Sequence, residues 1–373
     1  MTRLSFFNAL PFWLSLALVV PVLLAARFGG WALLLPPVAA WGAVSLLDAM
    51  TGLYKNNADP NAPDGQLFWY RLITLLWVPI EVVILFGLIW YQAHTTHLAA
   101  WEKLGLFFGM GILSGSIGIN YAHELMHQTN KFERWLADIL LALVLYSHFR
   151  SEHLLVHHRY VGTPRDAVTA RYNEGFHRFF FRVLPGTYRS AFAAETQMLA
   201  RKSLGPWHRR NPFWRYWVLQ AVFLALAFAL GGWVGIGLFL FQALGAIWQL
   251  ELTNYIEHYG LTRKHLGDGK YEIVLPRHSW NAAHRASNWL LINLQRHSDH
   301  HYKPDRRFPL LQNYGEEDAP QLPYGYPLMT MAAMVPPIWR RVMNKRVKAW
   351  RAQFYPEITD WDAYKFGTNP LPR

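Results

Sequence analysis

The stretch WLADILLALVLYSHF, residues 135–149, decides the fold. It is apolar enough for a bilayer, yet its 15 residues make only about 22 Å of α-helix against a hydrocarbon core of about 30 Å. It also carries Asp138. Both features predict a buried or re-entrant helix rather than a crossing. The consequence is large, because histidine-rich segments lie on either side of it. A crossing would put them on opposite faces of a membrane, whereas a short helix keeps them together.

Around this stretch the chain of 373 residues, 52% of them hydrophobic, alternates long uncharged runs with basic segments. That patterning is expected of a membrane protein rather than of two soluble domains. Six runs are long enough to span: roughly 5–26, 29–47, 72–93, 104–122, 213–231 and 233–252. The first, too long for a cleavable leader and without a clear small-residue cleavage site, reads as a retained span. Glu81, in the middle of the third, should face the bundle interior. The pair Gly231–Gly232 predicts a tight hairpin between the last two. No internal repeat or low-complexity segment is present.

The net charge of +12 supplies orientation. With the N-terminus inside, the outer loops near 27–30 and 94–103 contain only Arg27 and Lys103, and the remaining Lys and Arg fall on the cytosolic side. The basic runs thus answer to the membrane, and nucleic acid is not expected as a partner. The reading is an all-α membrane protein of one domain, residues 1–373. Its six transmembrane helices carry a histidine-rich helical cap built from cytosolic segments 123–212 and 253–373.

Nine of the 17 histidines fall into four groups. HELMH gives His123 and His127; EHLLVHH gives His153, His157 and His158; NYIEHYGL gives His258; HSDHH gives His297, His300 and His301. On a helix, positions three and four apart share a face, so each group can offer two or three imidazoles to one centre. Topology places all nine at one membrane face. Nine imidazoles exceed the needs of one metal, so two are inferred. The chain has no cysteine, which excludes disulfides, thiolate zinc and any iron–sulfur or rubredoxin module within it. A histidine-only site beside lipid points to non-haem iron handling dioxygen, since zinc has no redox chemistry. Glu124, Glu152, Glu257 and Asp299, each next to a ligand, are expected to orient the rings.

Other readings exist. HELMH fits the zinc-protease pattern, but a membrane zinc metalloprotease would leave the other clustered histidines unused. His94, His97, His148, His177, His208 and His265 read as ordinary polar residues. His278 and His284 stand close enough to the last group to support it or to gate substrate.

These segments, with SLLDAM, TPRDAVTA and KFGT, resemble the integral-membrane alkane hydroxylases (alkane 1-monooxygenases) within the histidine-box fatty acid desaturase and hydroxylase superfamily. The resemblance covers nearly the whole chain. It implies a diiron centre held by His123, His127, His153, His157, His158, His258, His297, His300 and His301, with Asp166 of TPRDAVTA as a further acceptor. It also implies hydroxylation of a terminal methyl using O2 and electrons from rubredoxin, itself reduced by rubredoxin reductase, in a bacterial inner membrane. Arg296, Lys303, Arg306 and Arg307, flanking the last group, are expected to ring the cytosolic mouth and steer that acidic donor. Two departures stand out: Leu154, Leu155 and Val156 replace the usual polar residues and glycine of the second group, and Gln128 replaces a lysine. They keep an alkyl-aromatic methyl group and lipid desaturation open as alternatives.

Overall fold

The computed structural model describes residues 4–361; KFGT, at 365–368, lies outside the described residues. Five helices are long and apolar enough to cross a membrane: α1 (Phe6–Phe28), α2 (Gly30–Thr51), α3 (Asp64–His94), α4 (Ala100–His127) and, later in the chain, the 46-residue Phe213–His258. The last is not one straight rod. Gly232 takes φ 59° and ψ −151°, and a Cβ on Gly235 would collide with the carbonyl oxygen of Ala227. Eight residues apart in a continuous helix is about 12 Å, so the chain folds back at the glycine pair, as expected, into two packed limbs.

The deciding stretch makes a helix too short to span. Helix α5 (Lys131–Leu143) stops after 13 residues, and Leu145 adopts a positive φ of 55°. Asp138 explains why a charge sits in so apolar a helix: it is buried and accepts from Arg150 Nη1 at 2.7 Å, with Arg215 Nη2 3.0 Å away. The chain then turns into α6 (149–160), which carries the second histidine group and includes a π-helical turn at His153–His157.

Helix α7 (Phe176–Ala200) was not visible as a hydrophobic run because it is amphipathic. Phe176, Phe179, Phe180, Val183, Thr187 and Ala191 are buried along one stripe, while Phe181 and Tyr188 are exposed. The helical hairpin α8 (Phe213–His258) follows. Beyond it, a small antiparallel pair, β1 (His265–Gly267) and β2 (Lys270–Tyr271), departs from the all-α expectation. The short helices α9 (Arg285–Leu290), α10 (His297–Tyr302) and α11 (Tyr326–Ala333), and the longer α12 (Pro336–Phe354), complete the cap.

Two helices run further than hydropathy indicated. Helix α4 continues to His127 and α8 to His258, five and six residues past the expected ends at 122 and 252. Their last turns are polar but covered by protein, so backbone hydrogen bonding persists where apolar composition stops. Inside the bundle Glu81 is fully buried, as expected, and accepts from the Trp77 indole N–H at 2.6 Å. A Cβ on Gly118 would overlap its carboxylate, so glycine there lets α3 and α4 close on each other.

Candidate metal centre

The four histidine groups converge, and the second and fourth divide between two centres. His123, His127, His153 and His300 form one cluster and His157, His258, His297 and His301 a second; within each, the nitrogens lie within 4.8 Å of one another. His158 joins the first, its Nε2 2.9 Å from His153 Nε2 and 3.0 Å from His300 Nε2. The clusters adjoin: the His158 and His301 ring centroids are 4.6 Å apart.

Local backbone geometry explains the division. In an α-helix His153 and His157 would share a face and His158 would point about 140° away from His153. The π turn, with its i→i+5 spacing, instead aligns His153 with His158 and sends His157 to the other side. On α10 the ordinary α-helical repeat suffices. His297 and His301 are one turn apart, with Nε2 atoms 3.0 Å apart, and His300 is rotated about 100° from His301 toward the first cluster.

The electrostatics favour neutral imidazole. Burial and neighbouring imidazoles hold His153, His158, His297, His300 and His301 well below the ordinary histidine value. Neutral rings cannot satisfy one another in this arrangement. His153 Nε2 meets His123, His158 and His300 Nε2 at 2.9, 2.9 and 3.4 Å, yet it has one lone pair or one hydrogen to offer. His127 Nε2 and His157 Nε2 are buried without a partner. Convergent lone pairs with no donor between them are what a cation requires, so the residues present fit a metal in each cluster.

The carboxylates divide into those that orient rings and those that do not. Asp166 accepts from His157 Nδ1 at 2.9 Å and is fixed by the Thr169 hydroxyl (2.7 Å) and the Val168 N–H (3.0 Å). Burial opposes its charge, but His157 and these donors hold it below the usual aspartate value. Glu257 Oε1 lies 3.3 Å from His297 Nδ1, close to the ring but without a hydrogen bond to it. The other three differ from expectation. Asp299 is spent on Arg306, the Gln312 N–H and the Tyr314 hydroxyl, so it ties the following loop to α10 instead of turning a ring. Glu124 receives the Gln128 amide at 3.1 Å and the Phe308 N–H. Glu152 is buried with neither oxygen hydrogen-bonded.

The expected donor-docking cations are also reassigned. Arg296 is 3% exposed and donates to the carbonyls of Leu311 (2.6 Å) and Asn56 (3.0 Å). Arg306 pairs with Asp299 at 2.5 Å, and Arg307 holds Glu133 at 2.9 Å. Only Lys303 of the four is exposed. The other three brace the loops around the site, because desolvated guanidinium groups here found acceptors inside the fold. His278 is likewise structural, linking the Leu275 N–H (2.9 Å) to the Tyr355 hydroxyl (2.7 Å).

A narrow cavity of about 40 Å³ reaches His123 and His153 of the first cluster and His297 of the second. Its walls include Trp41, Ile119, Leu250, Leu290 and Leu291. Gly115, Ser116, Asn120, Gln249 and Tyr326 add the polar and small parts of the wall. Trp41 is held by its indole N–H, which donates to Gln249 Oε1 at 3.2 Å. Leu155 and Val156, the unusual residues of the second group, line a different cavity with Arg159 and Met198.

Long apolar helices under a histidine cap define a membrane protein of the desaturase and hydroxylase type, and a family model described as fatty acid desaturase matches residues 95–333, which contain all nine histidines. Alkane 1-monooxygenase 2 of Pseudomonas aeruginosa is 37% identical over 324 residues, covering 86% of this chain and 85% of that protein. An alkane 1-monooxygenase of Pseudomonas putida is 38% identical over 325 residues, 86% and 80% of the two chains. A xylene/toluene monooxygenase hydroxylase component of Pseudomonas putida is more distant, at 27% over 299 residues, 79% and 76%. The chain belongs to the alkane 1-monooxygenase family.

Asp166 gives a direct check on the second cluster. Replacing it with alanine frees the His157 ring and should weaken metal binding there by roughly 10–100-fold, the usual effect of losing a carboxylate behind a ligating histidine. Metal titration of the purified variant measures it.

Proposed function

We propose that this protein hydroxylates the terminal methyl of an alkane to a primary alcohol, using O2, two non-haem irons and electrons from rubredoxin. The observation that carries the reading is the sorting of nine histidines into two adjoining all-nitrogen clusters beside a narrow cavity between apolar helices. The irons would be held by His123, His127, His153, His158 and His300 in one cluster and by His157, His258, His297 and His301 in the other. Bound there, they would supply activation of O2. The chain's own contribution is to keep the imidazoles neutral, fix their orientation and present one end of the substrate. Methyl C–H bonds are the strongest in an alkane, so selectivity must come from positioning, which the Trp41–Gln249 wall provides.

The absence of cysteine supports an external one-electron carrier, since the chain itself has no thiolate site for one. The zinc-protease reading is disfavoured by Glu124, which is turned to Gln128 and Phe308 rather than toward a metal-bound water, and by five histidines where an open position would be needed. The test is product analysis by gas chromatography with medium-chain alkanes and fatty acyl lipids under O2. A primary alcohol supports the proposal, an alkene the desaturase reading, and a benzylic alcohol from xylene alone would assign an alkyl-aromatic substrate.

The site's placement on the cytosolic face of a six-span bacterial inner-membrane protein is part of this proposal. Accessibility tags in the 94–103 loop should be reached only from outside, and tags at 128–132 and 165–175 only from the cytosol. Opposite sides for the last two would mean that α5 crosses.

A further inference from the structure

Reduction of dioxygen in the proposed reaction needs protons as well as electrons: RH + O2 + 2e⁻ + 2H⁺ → ROH + H2O. The clusters are buried, and their imidazoles are committed as neutral ligands. Asp166 is committed to His157, and Asp299 to Arg306 and Tyr314. One buried acid on the second limb of α8 has no role in any of this. Glu251 is fully buried, and each of its oxygens is hydrogen-bonded. Oε1 accepts from the Tyr146 hydroxyl at 2.9 Å, and Oε2 accepts from Asn254 Nδ2 at 3.1 Å. The Tyr146 hydroxyl in turn lies 3.0 Å from the Thr187 hydroxyl.

This row runs between two cavities, each lined by a neighbour of its end residue. Asn254 lines the substrate cavity with His123, His153 and His297. Thr187 is itself buried, with its hydroxyl also 3.0 Å from the Val183 carbonyl, and its neighbours Gly186 and Ser190 on α7 line a cavity of about 270 Å³ walled by Arg165 and Arg171. Three elements distant in sequence (the α5–α6 turn, α7 and α8) thus meet to join hydroxyl, hydroxyl and carboxyl in a row. Packing does not call for an acid here. A glutamine would fill the same space and meet both neighbours without the cost of burying an ionisable group.

We infer that Thr187, Tyr146 and Glu251 form a proton relay from this arginine-walled cavity to the metal centre. The inference rests on the oxygen-reducing function proposed above. In each passage the Glu251 O–H bond breaks, and water in the cavity that Asn254 lines takes this proton and passes one on to the oxygen being reduced. The carboxylate recovers a proton from the Tyr146 O–H, Tyr146 from the Thr187 O–H, and Thr187 from the outer cavity. Each hydroxyl gives one proton and takes one, so no charge is left on the relay. The electrons arrive separately from the external carrier.

The test compares Thr187→Val, Tyr146→Phe and Glu251→Gln with the conservative Thr187→Ser. The three interrupting variants should retain the wild-type iron content, yet turn over roughly 100-fold more slowly, the scale of a lost proton donor, with a larger solvent isotope effect. Thr187→Ser should recover wild-type behaviour in both. A second readout needs no metal. In metal-free protein, the infrared carboxyl band that disappears in Glu251→Gln should exchange in D2O, and this exchange should slow in Tyr146→Phe and Thr187→Val but not in Thr187→Ser. Unchanged turnover, isotope effect and exchange in the interrupting variants would overturn the relay. Wild-type protein that forms no alcohol would overturn the functional reading instead, and the exchange experiment would still judge the hydrogen-bonded path on its own.

Discussion

His300→Ala and His301→Ala, one residue apart, are expected to abolish turnover while emptying different halves of the metal centre. His300 belongs to the cluster with His123, His127 and His153, and His301 to the cluster with His157, His258 and His297. Each variant should therefore keep about one of two irons per chain, and the retained iron should differ in its spectroscopic signature. His94→Ala serves as the control, because that ring is exposed and bonds only its own helix at the Trp90 carbonyl. If both variants lose both metals together, the clusters are one cooperative unit. If either keeps full activity, its ring is not a ligand. The rings' depressed proton affinity gives a related expectation. Metal should be retained as pH falls through 6.5, the ordinary imidazole value, and released only well below it.

The second large effect concerns Arg307. Charge reversal there would be a mild docking defect if the residue faced a partner protein. The structure points to a different outcome. The guanidinium bonds Glu133 through Nη1 at 2.9 Å and Nη2 at 3.2 Å, and Arg71 completes the same carboxylate at 2.6 Å. The Arg307 and Glu133 side chains are 11% and 2% exposed. Arg307→Glu would confront the buried carboxylate of Glu133 and the half-buried one of Glu124 nearby. Breaking a buried pair from one side costs roughly 3–5 kcal/mol, enough to lower the yield of folded protein sharply and the melting temperature in detergent. Lys303→Glu, at an exposed position, should leave both unchanged. A stable Arg307→Glu protein with only a raised Michaelis constant for the donor would restore the docking role.

What the sequence disclosed, and what it withheld, follows from how local each signal is. Residue type and spacing are local, so all nine histidines that the fold brings together could be named. The turn at Gly231–Gly232 was equally plain, as was the shortness of the helix in 135–149, since both depend on residues adjacent in the chain. The allotment of His153, His157 and His158 between two clusters was not legible. It depends on a π turn, whose cost is set by packing around α6 and leaves no mark in residue type. The paired state of Arg296, Arg306 and Arg307 was hidden for a different reason. A count of positive charges reports which side of a membrane a segment occupies, but not whether Glu133 or Asp299 folds back onto it. Glu251 was obscured by position, inside an apolar run, and its partners Tyr146 and Thr187 lie on elements that only the tertiary fold brings together. Helix α7 escaped because one face is apolar and the other basic, which averages to nothing in a hydropathy window.

The central claim, that two histidine clusters hold two irons, is tested most directly by elemental analysis of purified, catalytically active protein. The account predicts two irons per chain, falling to about one in His300→Ala and in His301→Ala. One zinc per chain, with activity undiminished when O2 is removed, would contradict it.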